Sequence, residues 1–188
     1  ITELAESVSR PERFCGTHWF HPAHIVPVVE VVYGEETADE TVSFAKMDEL
    51  ANRHAHGLAD QGVSKGDRVL LMLPNSPEYL HCWFGLSKLG GVEVPVNTEF
   101  KRHTLTHVAN ITEAEFAVFH EKYVSRLLDV EDDLDHLETV AVLGGGEFSQ
   151  ADSDLEFVAY DDLVSDDATA PDITYDCQDV TAIIMTSG

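Results

Sequence analysis

Basic residues are scarce in this sequence. Only 11 lysines and arginines stand against 35 aspartates and glutamates, a formal net charge of -24 over 188 residues. Nucleic-acid binding draws its affinity from cations that neutralise phosphates, so a nucleic-acid partner is not expected. Cysteine is rarer still. Cys15, Cys82 and Cys177 are odd in number, widely spaced and in no C-x-x-C pair, which argues against a disulfide framework or a zinc knuckle and suits a reducing cytoplasm. No apolar run approaches the ~20 residues that a membrane span needs, and no signal-peptide pattern opens the chain. Internal repeats and low-complexity segments are missing as well. With 44% apolar residues, the composition is that of a globular chain, long enough for one domain with a real core or for one domain plus a piece of another.

What is abundant is acid. Runs such as "DVEDDLDHLE" and "DDLVSDDATAPD" are spread through apparently folded segments instead of forming a tail. Self-repulsion of this size is tolerable where salt shortens the Debye length to a few ångströms, so a high-salt-adapted, halophilic surface is expected. An acidic, non-catalytic interaction module that binds another protein is the alternative reading of the same charge.

The pattern of elements is legible in outline. "ITELAESVSR" reads as a helix over Thr2 to Ser9 entered partway, and with no initiator methionine at Ile1 both ends read as cuts in a longer chain. A strand at Phe14 to Trp19, a loop marked by Pro22 and Pro27, and a strand at Val28 to Tyr33 follow. "TADE", residues 37 to 40, has the form of a capping box. A second helix signal comes at once, with Ser43 as cap, Met47, Leu50, Ala51, His54 and Leu58 at helical spacing, and Gly62 as stop. Two start signals so close together leave two readings: the first helix runs into the second, or two unrelated pieces join near Val42 and Ser43. Beyond the join, strands at Arg68 to Leu73, Val92 to Val96, Phe116 to Phe119 and Thr139 to Leu143 alternate with helices at Pro77 to Leu89, Lys101 to Asn110 and Glu121 to Leu128. Alternation of this kind predicts an α/β fold: an incomplete parallel sheet flanked by helices. The continuous apolar runs "VLLMLP" and "VTAIIM" read as strands buried on both faces.

Several groups of residues invite a chemical reading. The chain closes on "AIIMTSG", in which Thr186, Ser187 and Gly188 follow an apolar strand-like run as the start of a phosphate-gripping loop would. Glu30 sits inside the run Val28 to Val32, where a carboxylate needs a partner or an open edge. His18, at the end of the preceding strand, could supply that partner and form the histidine-carboxylate unit of general base chemistry; an edge strand with Glu30 facing water is the structural alternative. His18, His21 and His24 lack a fourth ligand type and are interrupted by Pro22, so no metal site is expected there. His103 and His107 read as a solvated helix face, and "LGGGEFSQ" as a surface turn without the lysine of a Walker loop.

Two resemblances sharpen these readings. Residues 1–42, through "GTHWFHP" and "VVEVV", resemble the 3-hydroxyacyl-CoA dehydrogenase family near the end of its Rossmann-type NAD-binding domain, an αββ segment. That resemblance implies His18 as the base that takes the hydroxyl proton, with Glu30 as its partner. His21 departs from the asparagine usual there, which bears on substrate positioning, and the Gly-rich NAD loop of that family is not within these residues. Residues 43–188 resemble the acyl-adenylate-forming enzymes, the acyl-CoA synthetases and luciferases. "SFAKMDELANR", "GVSKGDRVLLMLPNSPEY", "GLSKLGGVEVPVN" and the opening of a "TSG(S/T)TGxPKG" loop occur in the family's order. This resemblance implies ATP, Mg2+, CoA and a small-molecule carboxylate of fatty-acid or carnitine type, with Thr186, Ser187 and Gly188 on the ATP phosphates. The dehydrogenase as the parent protein is the competing enzyme reading.

Overall fold

The computed structural model describes residues 15–19, 29–33, 44–144 and 153–185, and the chain divides into two units, Ile1–Ser43 and Phe44–Gly188. The expected helix over Thr2 to Ser9, the capping box at residues 37 to 40, most of "LGGGEFSQ" and the terminal Thr186, Ser187 and Gly188 lie outside the described residues. In the first unit, β1 (Cys15–Trp19) pairs antiparallel with β2 (Val29–Tyr33). Their register sets Cys15 opposite Tyr33 and His18 opposite Glu30.

The second unit is built on five parallel strands: β3 (Arg68–Met72), β4 (Val92–Pro95), β5 (Phe116–His120), β6 (Thr139–Leu143) and β7 (Glu156–Ala159). They lie in the order β4-β3-β5-β6-β7. The helices are α1 (Phe44–Asp60), α2 (Pro77–Leu89), α3 (His103–Thr112) and α4 (Glu121–Leu128), and a 3-10 turn follows at Tyr160–Leu163. Strand residues alternate between two cores. Leu70, Met72, Val94 and Phe119 pack with Leu105 and Val108 of α3 and Val124 and Leu127 of α4. Val69, Leu71, Leu73 and Val118 pack with Leu58 of α1, Leu86 of α2 and Leu163. A strand walled on both sides has no polar face, which is why its sequence is continuously apolar.

Helix limits follow local chemistry. Ser76 caps α2 by accepting the Tyr79 N–H at its Oγ (3.4 Å), and Pro77 fills the first position, where a missing N–H costs nothing. At the far end Gly90 takes the left-handed conformation (φ 78) and donates its N–H to the carbonyls of Leu86 and Ser87. α3 begins at His103 instead of Lys101, because Asn97 to Phe100 close a turn first, the Phe100 N–H bonding to the Asn97 carbonyl at 2.9 Å. β7 carries no strong signal in the sequence: "EFVA" is four residues of partial burial.

One expectation needs correction. Val180 to Met185 is not a strand buried on both faces; a single parallel bridge, Glu93 to Ala182, joins it to β4. Among the described residues it has a neighbour on one flank only. Ile183 and Met185 pack on the first core, while Val180 and Ile184 stay 57% and 66% exposed.

The acids of this unit far outnumber the cations that meet them. Lys46 and Arg53 pair with Glu49, Lys65 with Asp179, Arg68 with Glu113 and Lys88 with Asp48, all at the surface. Such pairs contribute little each, so the remaining repulsion is left to solvent ions. Raising KCl from about 0.1 M to 1 M shrinks the Debye length from about 10 Å to 3 Å and is expected to raise Tm by several degrees and suppress aggregation. A monodisperse, cooperative melt at low ionic strength that salt leaves unmoved would contradict this.

Candidate functional site

In a parallel sheet the carboxyl ends of the strands face one rim, and ligands gather where the winding direction reverses. Here the chain passes from β3 outward to β4, then recrosses to β5, β6 and β7 on the other side. The reversal falls between β3 and β5. Its walls are the Pro74 to Ser76 loop leading into α2 and His120, which caps α4 by accepting the Lys122 N–H at Nδ1 (3.2 Å). Beside them, Asn97 accepts the Glu99 N–H at 2.9 Å, and Arg126 donates to the Thr98 carbonyl, tying α4 to the loop after β4. Gly144 at the end of β6 holds φ 125, and a Cβ there would meet the Glu121 carboxyl at 2.6 Å.

The segment before the terminal residues approaches this rim along β4. Glu93 donates its backbone N–H to the Thr181 carbonyl (3.0 Å) and accepts the Ile183 N–H at its own carbonyl (2.9 Å). The pairing is parallel, so residues 181–185 run toward the same rim as β4. The Glu93 side chain is only 2% exposed. Burial pushes its carboxyl up to about 8, the bond from the Trp83 indole partly offsets this, and Oε2 has no partner among the described residues. Tyr79 and Trp83 stack edge to face over this part of α2, their centroids 5.8 Å apart.

A second polar group lies beneath α1 and α2. His54 bonds through Nδ1 to the Leu50 carbonyl (2.8 Å) and through Nε2 to the Tyr160 hydroxyl (2.8 Å), which is also 3.3 Å from the Glu78 carbonyl. Burial lowers the basicity of His54, raises the Tyr160 hydroxyl and pushes the Cys82 thiol up to about 12. These groups are neutral at physiological pH and largely bonded to one another. They fix the 3-10 turn to the helices and carry no reactive nucleophile.

Of the residues singled out in the sequence, His18 and Glu30 are brought to directly opposed positions on β1 and β2. Thr186, Ser187 and Gly188 lie outside the described residues. His103 and His107 are exposed on α3 with stacked rings 6.3 Å apart. Among the described residues no group of three or more His, Cys, Asp or Glu is arranged to hold a metal, and no helix is long and apolar enough to cross a membrane. Sequence reasoning missed Glu93, although "VEV" is the same signal as "VVEVV" around Glu30: a carboxylate inside an apolar run.

The winding and the rim are those of a doubly wound α/β domain with a parallel sheet. The model of the AMP-binding enzyme family matches residues 21–188, and the chain belongs to that family. The match starts at His21, so it takes in residues 21–42, which the sequence alone assigns to a dehydrogenase-like segment. Crotonobetaine/carnitine--CoA ligase of Citrobacter koseri is 35% identical over 119 residues, 56% of this chain and 23% of that protein. Long-chain-fatty-acid--CoA ligase FadD13 of Mycobacterium tuberculosis is 36% identical over 87 residues, 46% of this chain and 17% of that one. The chain thus spans less than a quarter of the length of the curated relatives it matches. Among solved structures, apo MbtA of Mycobacterium smegmatis superposes with a TM-score of 0.69 at 27% identity, covering 80% of this chain and 27% of that one. The anthranilate CoA ligase AuaEII in complex with anthranoyl-AMP shares the fold, with a TM-score of 0.67 at 21% identity over 80% of this chain and 29% of that one.

Proposed function

We propose that this chain is the N-terminal part of an ATP-dependent acyl-CoA synthetase acting on a fatty-acid or carnitine-type carboxylate. The observation that carries the reading is the parallel docking of residues 181–185 on β4, which aims the approach to "TSG" at the carboxyl rim of the sheet. In the reaction, a substrate carboxylate oxygen attacks the α-phosphorus of ATP and the bond to pyrophosphate breaks. The CoA thiol then displaces AMP from the acyl-adenylate, and the thiol proton leaves to solvent. Hydroxyls and backbone N–H groups of Thr186, Ser187 and Gly188 would hold the β- and γ-phosphates as charge moves onto pyrophosphate. Mg2+ would enter with the phosphates and neutralise that charge, needing few protein ligands of its own. The G-x-G-x-x-G turn of an NAD site does not occur within the 188 residues.

The test is carboxylate-dependent exchange of labelled pyrophosphate into ATP by a polypeptide that carries these residues and the sequence following Gly188. Exchange is expected, and Ser187→Ala should lower its rate by about 100-fold, the usual loss for one phosphate- or oxyanion-holding donor. Absence of exchange with fatty acids and with carnitine would count against the synthetase.

The opposed positions of His18 and Glu30 favour a second reading for the first unit, as a piece of a 3-hydroxyacyl-CoA dehydrogenase in which the pair takes the hydroxyl proton. Its test is the coding sequence upstream of Ile1. A strand followed by a Gly-x-Gly-x-x-Gly turn in the same frame would support it, and a frame without one would remove it.

A further inference from the structure

We propose that Glu93 is a positioning residue for the phosphate-gripping loop: its backbone latches the segment that leads to Thr186, and its buried side chain sets how firmly that latch closes. The inference rests on reading Thr186 to Gly188 as that loop.

Three observations converge on this residue. Its N–H and C=O make the two backbone bonds, to Thr181 and Ile183, that hold residues 181–185 against β4. Its carboxyl lies on the α2 side, bonded to the Trp83 indole, with Oε2 shut off from water and without a partner among the described residues. Next to it the docked segment occupies the sheet edge, so undocking would turn Glu93 into an edge residue open to solvent. A buried carboxyl with no cation beside it persists in its neutral form, whereas an open one ionises as ordinary carboxyls do.

The sign of the coupling follows. The closed latch binds a proton that the open latch releases at neutral pH, so closure is favoured below the ordinary carboxyl range near 4.5 and weakens as pH rises toward about 8, above which both forms are ionised. The groups facing Glu93 do not reverse this. Tyr79 on α2 has its hydroxyl raised by burial and by the Glu93 charge, and it stays neutral over this range. Trp83 has no titrating group, the β3 partner in register is Val69, and Thr181, Ala182 and Ile183 are uncharged. Asp179, further back on the segment, is held charged throughout by the Asp176 N–H and by Lys65 at 2.6 Å.

Amide hydrogen exchange on the chain as it stands tests the latch. After correction for the intrinsic base-catalysed rate, the opening equilibrium reported by the Ile183 amide is expected to rise by up to about tenfold per pH unit between pH 5 and 8 and then level off. Glu93→Gln, a neutral isostere, should abolish that slope and keep Ile183 protected at pH 8, while the amides of Leu70 and Val118 in the inner strands stay protected in both proteins. A slope that persists in Glu93→Gln, a flat profile in the unsubstituted chain, or inner-strand amides that follow Ile183 would each overturn the proposal. Failure of pyrophosphate exchange alongside the expected Ile183 profile would instead remove the phosphate-loop reading and leave Glu93 as a sheet-edge latch.

Discussion

Phe119→Ala is expected to destabilise the second unit by about 3–5 kcal/mol, the range for truncating a fully buried aromatic side chain. Phe119 has no exposed surface and lies in the core formed with Leu70, Val94, Leu105 and Val124. Its strand partner in register is Met72, equally buried, and its successor His120 caps α4 at the rim. Deleting the ring would leave a cavity directly below the proposed nucleotide side of the sheet. Urea denaturation should show the midpoint falling with an unchanged slope, and Phe119→Leu should cost less than about 1.5 kcal/mol because the volume is largely kept. A loss below 1 kcal/mol for the alanine variant would mean that this core is not packed as described.

Gly57→Ala is the second large effect, and two terms compete in it. Alanine is the better helix former by about 1 kcal/mol, so in an open helix this change would stabilise α1. At Gly57, however, an added Cβ would stand 2.1 Å from the carbonyl oxygen of Leu163 and 2.3 Å from its carbon. Both are backbone atoms, which cannot swing aside as a side-chain tip can. Overpacking costs of about 1–3 kcal/mol or more then exceed the propensity gain, and the turn at Tyr160–Leu163 must move away from α1. The His54–Tyr160 bond would be lost with it. A net destabilisation of about 2 kcal/mol is expected in chemical denaturation, with faster amide exchange in residues 160–163. Gly62→Ala serves as the comparison: among the described residues nothing lies within 4 Å of a Cβ there, and the expected cost is that of its left-handed backbone (φ 93). Equal stability of Gly57→Ala and the unsubstituted chain would show that α1 does not approach Leu163 so closely.

The sheet was legible because its signals are local. β3, α2, β5, α4 and β6 fall within a residue or so of their expected bounds, since each is a run of one periodicity bounded by a specific stop: Gly66 before β3, Ser76 and Gly90 around α2. The α1 helix likewise follows its buried stripe of Ala51, His54, Ala55 and Leu58. β7 escaped notice because a four-residue, half-buried edge strand has too few positions to show a period. "AIIM" misled in the opposite direction. An apolar run states that a segment can be buried, not how many neighbours it will find, and here β4 alone pairs with it among the described residues.

The amino-acid order by itself determined the alternation of strands and helices, hence a parallel sheet, and through its motifs the family to which the chain belongs. It also supplied His18, Glu30, Thr186, Ser187 and Gly188 as residue types suited to proton transfer and phosphate binding. Only tertiary structure decided the strand order β4-β3-β5-β6-β7, and with it the reversal between β3 and β5, because order depends on which edge each crossover takes and no local signal records that choice. The same holds for Glu93 and for the His54–Tyr160 pair, 106 residues apart in sequence. A carboxyl becomes a buried, proton-holding group only when α2 closes over one side and residues 181–185 dock on the other, and no stretch of sequence contains both of those neighbours.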